Sequence, residues 1–525
     1  MSFNLQDFLL TLASKKAPSD KQAREEITRS ATILAHSFAQ ADSANQATLV
    51  SLLQKMSGHK DSFFGALIHS LLFHMTGNPQ NLKKLSSHLM RRQADLKETN
   101  GSFYSLLAMS FKSSGDQASM LDSAIGRRTF MKLFKDAKQH VRRLYKQIIG
   151  PDETPFAPND HVVILTRQFL MPPHAPSVDT LNFASRLIKE YGKQVLIIST
   201  SEATAQQDGA VAPAIFANAD ERFVGRNKLD YDGVSISFAL CGNGIFGDES
   251  ALQAIKMIDV VKPEMIISVG APSLIAEVFA HRCFTFIYPT VRGIPLVEAC
   301  NFHTWDQPDD AMKSIVKKEK LDDQYLFAQH PGFDVKPASN SLTRQQFDIP
   351  EDKYVFVVVG TRLDTDVNAK FLDLLECITE HPYAFIVFAG NFNDYEKATS
   401  AYPNVQKQSA WIGFQTDIMA VYNISDAFLN PDRKGGGSGI VYALQAGLPV
   451  LSLPTGDAGL AAAGFPAIND YDALADVCVK LIDDKDMQAK YADIAVSEAP
   501  KFSGRAALLE RILEEFNKYS KARTV

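Results

Sequence analysis

Residues 426–454 read DAFLNPDRKGGGSGIVYALQAGLPVLSLP. A short apolar run (Asp426–Pro431) meets a glycine-rich turn, then a segment with helical spacing (Gly439–Gly447), then a second apolar run (Leu448–Pro454). Strand, helix, strand in so few residues predicts a parallel pair joined by a crossover helix. Four glycines stand in the five positions 435–439, although each costs a helix about 1 kcal/mol against alanine. A helix that starts at the carboxyl end of a parallel strand presents unpaired N–H groups and the positive end of its dipole, which is an anion site. Gly435, Gly436, Gly437 and Gly439 would let a phosphate approach the backbone without a Cβ in the way. Ser438 would cap the helix or donate to the same oxygens. Arg433 and Lys434 would add charge-assisted bonds.

The same grammar extends upstream. Near-continuous apolar runs at 353–363 (KYVFVVVGTRL) and 383–390 (YAFIVFAG) belong with this unit. An earlier set comprises HVVILTRQF (161–169), KQVLIIST (193–200), VSISFAL (234–240), MIISVGAP (265–272) and CFTFIYPT (283–290). Runs of this kind are expected where helices cover both faces of a parallel sheet. We expect two tandem Rossmann-like doubly wound α/β domains, at 151–325 and 326–525. The joint falls in or just after the charged stretch DAMKSIVKKEKLDDQ (310–324).

Residues 1–150 differ in texture. Apolar residues recur at three and four in FFGALIHSLLFHM and FYSLLAMSF, which predicts an all-helical domain. Gly77-Asn78-Pro79 and Gly115-Asp116 would turn helical hairpins. Between Gly126 and Gly150 there are eight Lys or Arg and one Asp on a helical stripe of Phe130, Leu133, Phe134, Val141, Leu144 and Tyr145. This basic helix, 126–147, reads as the solvated face of a docked helix or as a peripheral contact with an anionic membrane.

A chain of 525 residues exceeds one hydrophobic core. Its 46% hydrophobic and 22% charged content is ordinary for a globular enzyme, and a net charge of −6 disfavours nucleic acid as a partner. Five scattered cysteines form no CxxC pair, so reduced core thiols and no zinc site are expected. The first twenty residues show no signal-peptide pattern and no run of 18 apolar residues occurs, which suggests a cytoplasmic location. Neither a P-loop nor a dinucleotide fingerprint follows a first strand, which disfavours P-loop kinases and nicotinamide dehydrogenases.

Other residues extend the site. Arg362 follows a buried strand and a glycine, at the edge where open sheets bind ligands, and Lys370 comes two helical turns on. Trp411 and Phe414 flank Gly413 in a turn that could border a base or pack the sheet edge.

Taken together, HPGFDV (330–335), VVGTRLD (358–364), WIGF (411–414) with IMAVYNISDAFLNP (418–431), and GGGSGIVYALQAGLPVL (435–451) resemble the nucleotide-sugar-binding domain of GT-B glycosyltransferases. The large retaining branch carries two glutamates across this helix start; here the matching positions hold Lys434 and Tyr442. NPDRKGGGSGIV and FIYPTVRG (286–293) are instead similar to bacterial cytoplasmic protein N-glycosyltransferases, relatives of the O-linked N-acetylglucosamine transferases. That resemblance implies inverting transfer of a hexose from a UDP-sugar to a protein side chain, with no further cofactor. DTD (364–366) reads as a turn and no other Asp-x-Asp motif stands in a suitable loop, so no metal is expected. It implies donor contacts from Arg362, Lys370, Trp411, Phe414 and residues 433–439, and acceptor contacts from Tyr288 and Arg292. The paired histidines of that family are absent from RQFLMPPHAPSVD (167–179). His174 and Asp179 are the candidate proton acceptors there, and His281 and Arg282 are further candidates; the glycine loop 241–248 offers substrate approach or is only a turn. Open alternatives are a transferase acting on a surface polysaccharide or lipid glycan, a nucleotide-sugar epimerase, and a non-catalytic partner subunit.

Overall fold

The structure, a computed structural model, describes residues 4–38, 41–92, 95–112, 124–151, 154–170, 174–203, 209–213, 220–270, 272–290, 292–433 and 435–523. These fall into two compact units. The first takes the described residues of Met1–Phe111, Asp116–Ala328 and Ile512–Val525; the second takes Lys112 and Gln329–Arg511. No helix of the described residues is long and apolar enough to cross a membrane.

The first unit begins with helices. Ser62–Thr76 is buried on every side from Phe63 to Phe73, a span whose polar residues His69 and Ser70 are hydrogen-bonded inside. Gly77 ends it in the left-handed conformation (φ 65°), Asn78 caps the next helix through the Gln80 amide, and Pro79 opens Pro79–Met90. Gly65 is needed because the His88 ring of the second helix fills the place of a Cβ. The expected turn at Gly115-Asp116 lies outside the described residues.

The basic segment forms the helix Ala124–Ile149. Its apolar stripe is buried, and several of its cations meet acids of the same unit. Arg127 pairs with Glu319 at 2.6 Å and donates to the carbonyls of Ile294 and Pro295. Lys135 reaches Glu298 at 3.0 Å, and Lys138 reaches both Glu277 and Glu298. The docked-helix reading therefore accounts for these charges.

One core runs from Phe8 to Leu321 through helices and sheet alike. The sheet contains β1 (His161–Thr166), β2 (Gln194–Ser199), β3 (Lys228–Tyr231), β4 (Val234–Leu240), β5 (Met265–Gly270), β6 (Phe284–Pro289), β7 (Asn301–Thr304) and β8 (Tyr325–Ala328). Its order is β3-β4-β2-β1-β5-β6-β7-β8. Every pairing is parallel except β3 with β4. That hairpin turns on Asp232 (φ 50°) and Gly233 (φ 77°), the paired positive dihedrals that suit a two-residue turn.

The second unit has a five-stranded parallel sheet: β9 (Tyr354–Gly360), β10 (Ala384–Gly390), β11 (Ser409–Trp411), β12 (Ala427–Leu429) and β13 (Val450–Leu451). Its order is β11-β10-β9-β12-β13, so the chain reverses direction across the sheet between β9 and β12. The expected strands are all present; β3, β7, β8 and β11 are additional. The HPGFDV segment packs against the close of the second unit, where a Cβ on Gly332 would collide with the backbone of Gly504 and Arg505.

The final helix, Arg505–Arg523, returns to the first unit from Ile512 onward. There Phe516 and Tyr519 pack on Phe284 of β6, with ring centroids 5.8 and 5.3 Å away. Four cysteines are buried as expected, whereas Cys377 is exposed and fills no core.

Candidate functional site

The carboxyl ends of β9 and β12 flank the reversal of the second sheet, the position where open parallel sheets bind ligands. Arg362 leaves β9 through Gly360 and Thr361 and immediately precedes the short helix Leu363–Asp366. Beyond β12 the glycine turn leads into the helix Gly437–Gln445. Gly436, not Ser438, is the N-cap, and no side chain caps this start. Ser438 lies inside the first turn. The amides of Gly437, Ser438 and Gly439 thus have no intrahelical acceptor.

Arg433 departs from the expected role. It is buried, and its guanidinium lies under the glycine turn. Nε and Nη2 donate to Asn430 Oδ1 at 3.0 and 2.8 Å, Nη2 donates to the Val359 carbonyl at 2.8 Å, and Nη1 donates to Asp366 Oδ2 at 3.1 Å. Burial draws its pKa down from the ordinary arginine value while Asp366 opposes that. With these donors committed inside, Arg433 is a brace between β9 and β12 and not a phosphate ligand. It also explains two glycines. A Cβ on Gly436 (φ 95°) would stand 2.7 Å from Arg433 Nε, and one on Gly360 would stand 2.8 Å from Arg433 Nη1.

Asp366, read from sequence as part of a turn, is a structural carboxylate. It lies between Arg433 and Arg362, whose Nη2 is 3.7 Å from Asp366 Oδ1. Asp364 accepts from the Asp394 amide at 2.8 Å and from Asn393 Nδ2 at 3.2 Å, tying the β9 edge to the loop after β10. Arg362 itself keeps 36% of its side chain exposed. Lys370, in the first turn of Ala369–Ile378, is exposed as well. Lys434 lies outside the described residues.

Trp411 ends β11 with 40% exposure, and Phe414 follows Gly413 (φ 71°) with 42%. The indole Nε1 donates to the Gly390 carbonyl at 2.8 Å, which fixes the ring plane at the end of β10. Both expected aromatics are therefore presented outward on the carboxyl edge that carries Arg362 and the uncapped helix. Tyr442, at the second expected carboxylate position, is half-buried.

The first-unit candidates have different surroundings. His174 is the N-cap of Ala175–Tyr191, and its Nδ1 lies 2.8 Å from Ser177 Oγ. Burial and then the charge of Arg167 lower its pKa to about 4, so the ring is neutral at pH 7. In the tautomer with the proton on Nδ1, Nε2 offers a lone pair to a proton. Asp179 is buried in the second turn of the helix and does not cap it. Tyr288 does not line a ligand surface: it is 2% exposed, edge-on to Phe183 at 5.1 Å and stacked on His303 at 5.6 Å. Arg292 pairs with Asp306 at 2.7 Å. Arg282 is another brace, donating to the Tyr145 hydroxyl at 2.8 Å under the Phe156 ring. His281 meets Tyr145 edge-on at 6.0 Å. The 241–248 loop folds on itself, with a Cβ on Gly242 blocked by Ser250 at 2.7 Å.

No protein-family model matches the chain, and no curated protein matches it significantly. Solved structures do align with it at low identity. A glycosyltransferase from Rickettsia africae aligns over 69% of this chain and 99% of its own, at 13% identity and TM-score 0.47. Anabaena HepE in complex with UDP aligns over 68% and 100%, at 14% identity and TM-score 0.48. An O-GlcNAc transferase mutant from Thermobaculum terrenum spans 98% of this chain and 96% of its own, at 12% identity and TM-score 0.47.

Proposed function

We propose that this chain is a metal-independent GT-B glycosyltransferase of the cytoplasm that moves a hexose from a UDP-sugar to a protein side chain. One observation carries the reading. An uncapped helix start, a partly exposed arginine and an outward aromatic pair lie along one carboxyl edge of the second sheet, centred on its reversal. Amides of the Gly437–Gly439 turn and the cations Arg362 and Lys370 suit a diphosphate; Trp411 and Phe414 suit the flat face of a base.

In the reaction the acceptor nucleophile forms a bond to C1 of the hexose as the C1–O bond to the diphosphate breaks. UDP leaves with the electron pair, and the acceptor proton passes to a base, for which His174 is the candidate. Fixed dipoles and cations that meet the developing charge on UDP lower the barrier without reorganisation. Aspartates 364 and 366 are engaged with protein groups, in keeping with charge compensation by cations instead of a metal.

The test is a thermal-shift series with UDP, UDP-glucose, GDP and ADP on the chain and on an Arg362→Ala/Lys370→Ala double variant. UDP ligands should stabilise the chain by about 2.7 kcal/mol at a hundredfold excess over Kd, and the double variant should lose that gain. An unchanged gain in the double variant overturns the site. Radiolabelled UDP-hexose should then label protein, with turnover unaffected by EDTA. Label in the polysaccharide or lipid fraction redirects the acceptor, and conversion of free UDP-sugar without acceptor replaces transfer by epimerisation.

A further inference from the structure

The first sheet has its own reversal, between β1 and β5. Arg167 follows β1 as Arg362 follows β9, each directly after a threonine. Its guanidinium lies along Gly270, the last residue of β5. A Cβ on Gly270 (φ 114°) would stand 3.4 Å from Nη2 and 3.6 Å from Nε. The group also sits over the Tyr104 ring, 5.1 Å from its centroid. Nε and Nη1 are buried, and among the described residues neither has a hydrogen-bond partner. Leaving a charged donor dry and unpaired is unfavourable, so such groups ordinarily have an acceptor.

The internal anion nearby is committed elsewhere. Glu202 is fully buried, and its oxygens accept from Ser273 Oγ and the Leu274 amide, both at 2.8 Å. The Arg167 charge is felt at Glu202, at Tyr104 and at His174, so the cation stands near the candidate proton acceptor.

We propose that Arg167 is an anion-binding residue of the first sheet, taking one carboxylate or phosphate group of the second substrate at the β1–β5 reversal. Naming that ligand the second substrate rests on the transferase reading; the anion site stands without it. An arginine fork recognises planar or tetrahedral oxyanions better than an ammonium does.

Thermal unfolding of the full chain in inorganic phosphate, and separately in acetate, at constant ionic strength tests the site. Wild type, Arg167→Gln, Arg167→Lys and Arg362→Ala are compared, each also with UDP. With saturating UDP present to occupy the donor site, at least one anion should raise the Tm of wild type, and neither should then raise that of Arg167→Gln; Arg362→Ala should keep the rise. Arg167→Lys, the check should Arg167→Gln not fold, should need roughly tenfold more anion for the same rise. An acetate response alone indicates a carboxylate-bearing ligand, and a phosphate response alone indicates a phosphate-bearing one. No rise in wild type, or a rise that survives Arg167→Gln, overturns the proposal. The UDP arm reports separately on the donor reading, because a UDP response in Arg167→Gln upholds that reading whichever way the anion arms fall.

Discussion

Two arginines nine-tenths and two-thirds withdrawn from water divide the labour at the β9–β12 reversal. Arg433 holds Asn430, the Val359 carbonyl and Asp366 together. Arg433→Ala strands a buried carboxylate and should cost about 3 kcal/mol in urea unfolding. Arg362 faces outward, so Arg362→Ala should cost less than about 1 kcal/mol but weaken UDP binding roughly 10- to 100-fold, as titration calorimetry would read. Equal stability losses would mean the roles are misassigned. Sequence could place both cations beside the turn but could not say that Arg433 points beneath it, because a side chain in a loop can point to either side of the backbone. Asp366 was illegible for the same reason. Arg167 went unremarked in the sequence, although it too follows a buried strand directly after a threonine.

Among elements, the long apolar strands were readable because burial on both faces leaves no polar alternation to confuse. β3, β7, β8 and β11 were not, since three or four residues such as NFHT or SAW carry too short a pattern. The Asp232-Gly233 pair could have announced the β3–β4 hairpin. At the glycine-rich helix start the four glycines prove unequal. Gly436→Ala, with positive φ and Arg433 below, should cost about 2 kcal/mol. Gly439→Ala has ordinary contact with Phe428 at 3.4 Å and should change stability by less than about 1 kcal/mol while weakening UDP binding. Denaturation and binding measured on both variants would separate packing from ligand approach. Strands β6 to β8 add a stack in which His303, fully buried, lies between Phe286, Tyr288 and Phe327 at 5.5–5.8 Å. Among the described residues its ring nitrogens lack hydrogen-bond partners, and burial lowers its pKa to about 3. The unfolded chain binds this proton below about pH 6.5 and the folded chain does not, so stability falls as pH falls through that window. His303→Phe should remove about 2 kcal/mol of the loss between pH 6.5 and 5, as urea midpoints would show. An identical pH profile in the variant would contradict this.

At the scale of the molecule, the doubly wound units were legible from texture, but the joining of helices and first sheet in one core was not, because composition changes at residue 150 while packing continues. Nor did the sequence disclose where its last helix would dock. Phe516→Ala should destabilise the first unit by about 3 kcal/mol and leave the UDP-dependent gain of the second unit intact, which thermal unfolding with and without UDP would reveal. Loss of the UDP gain would mean the substitution acts beyond its own unit. The docking of Phe516 and Tyr519 on β6 also sets an order of events during synthesis. Phe284 emerges from the ribosome more than two hundred residues before its partners, so β6 must wait, with one apolar flank uncovered, until the helix that carries them has been made.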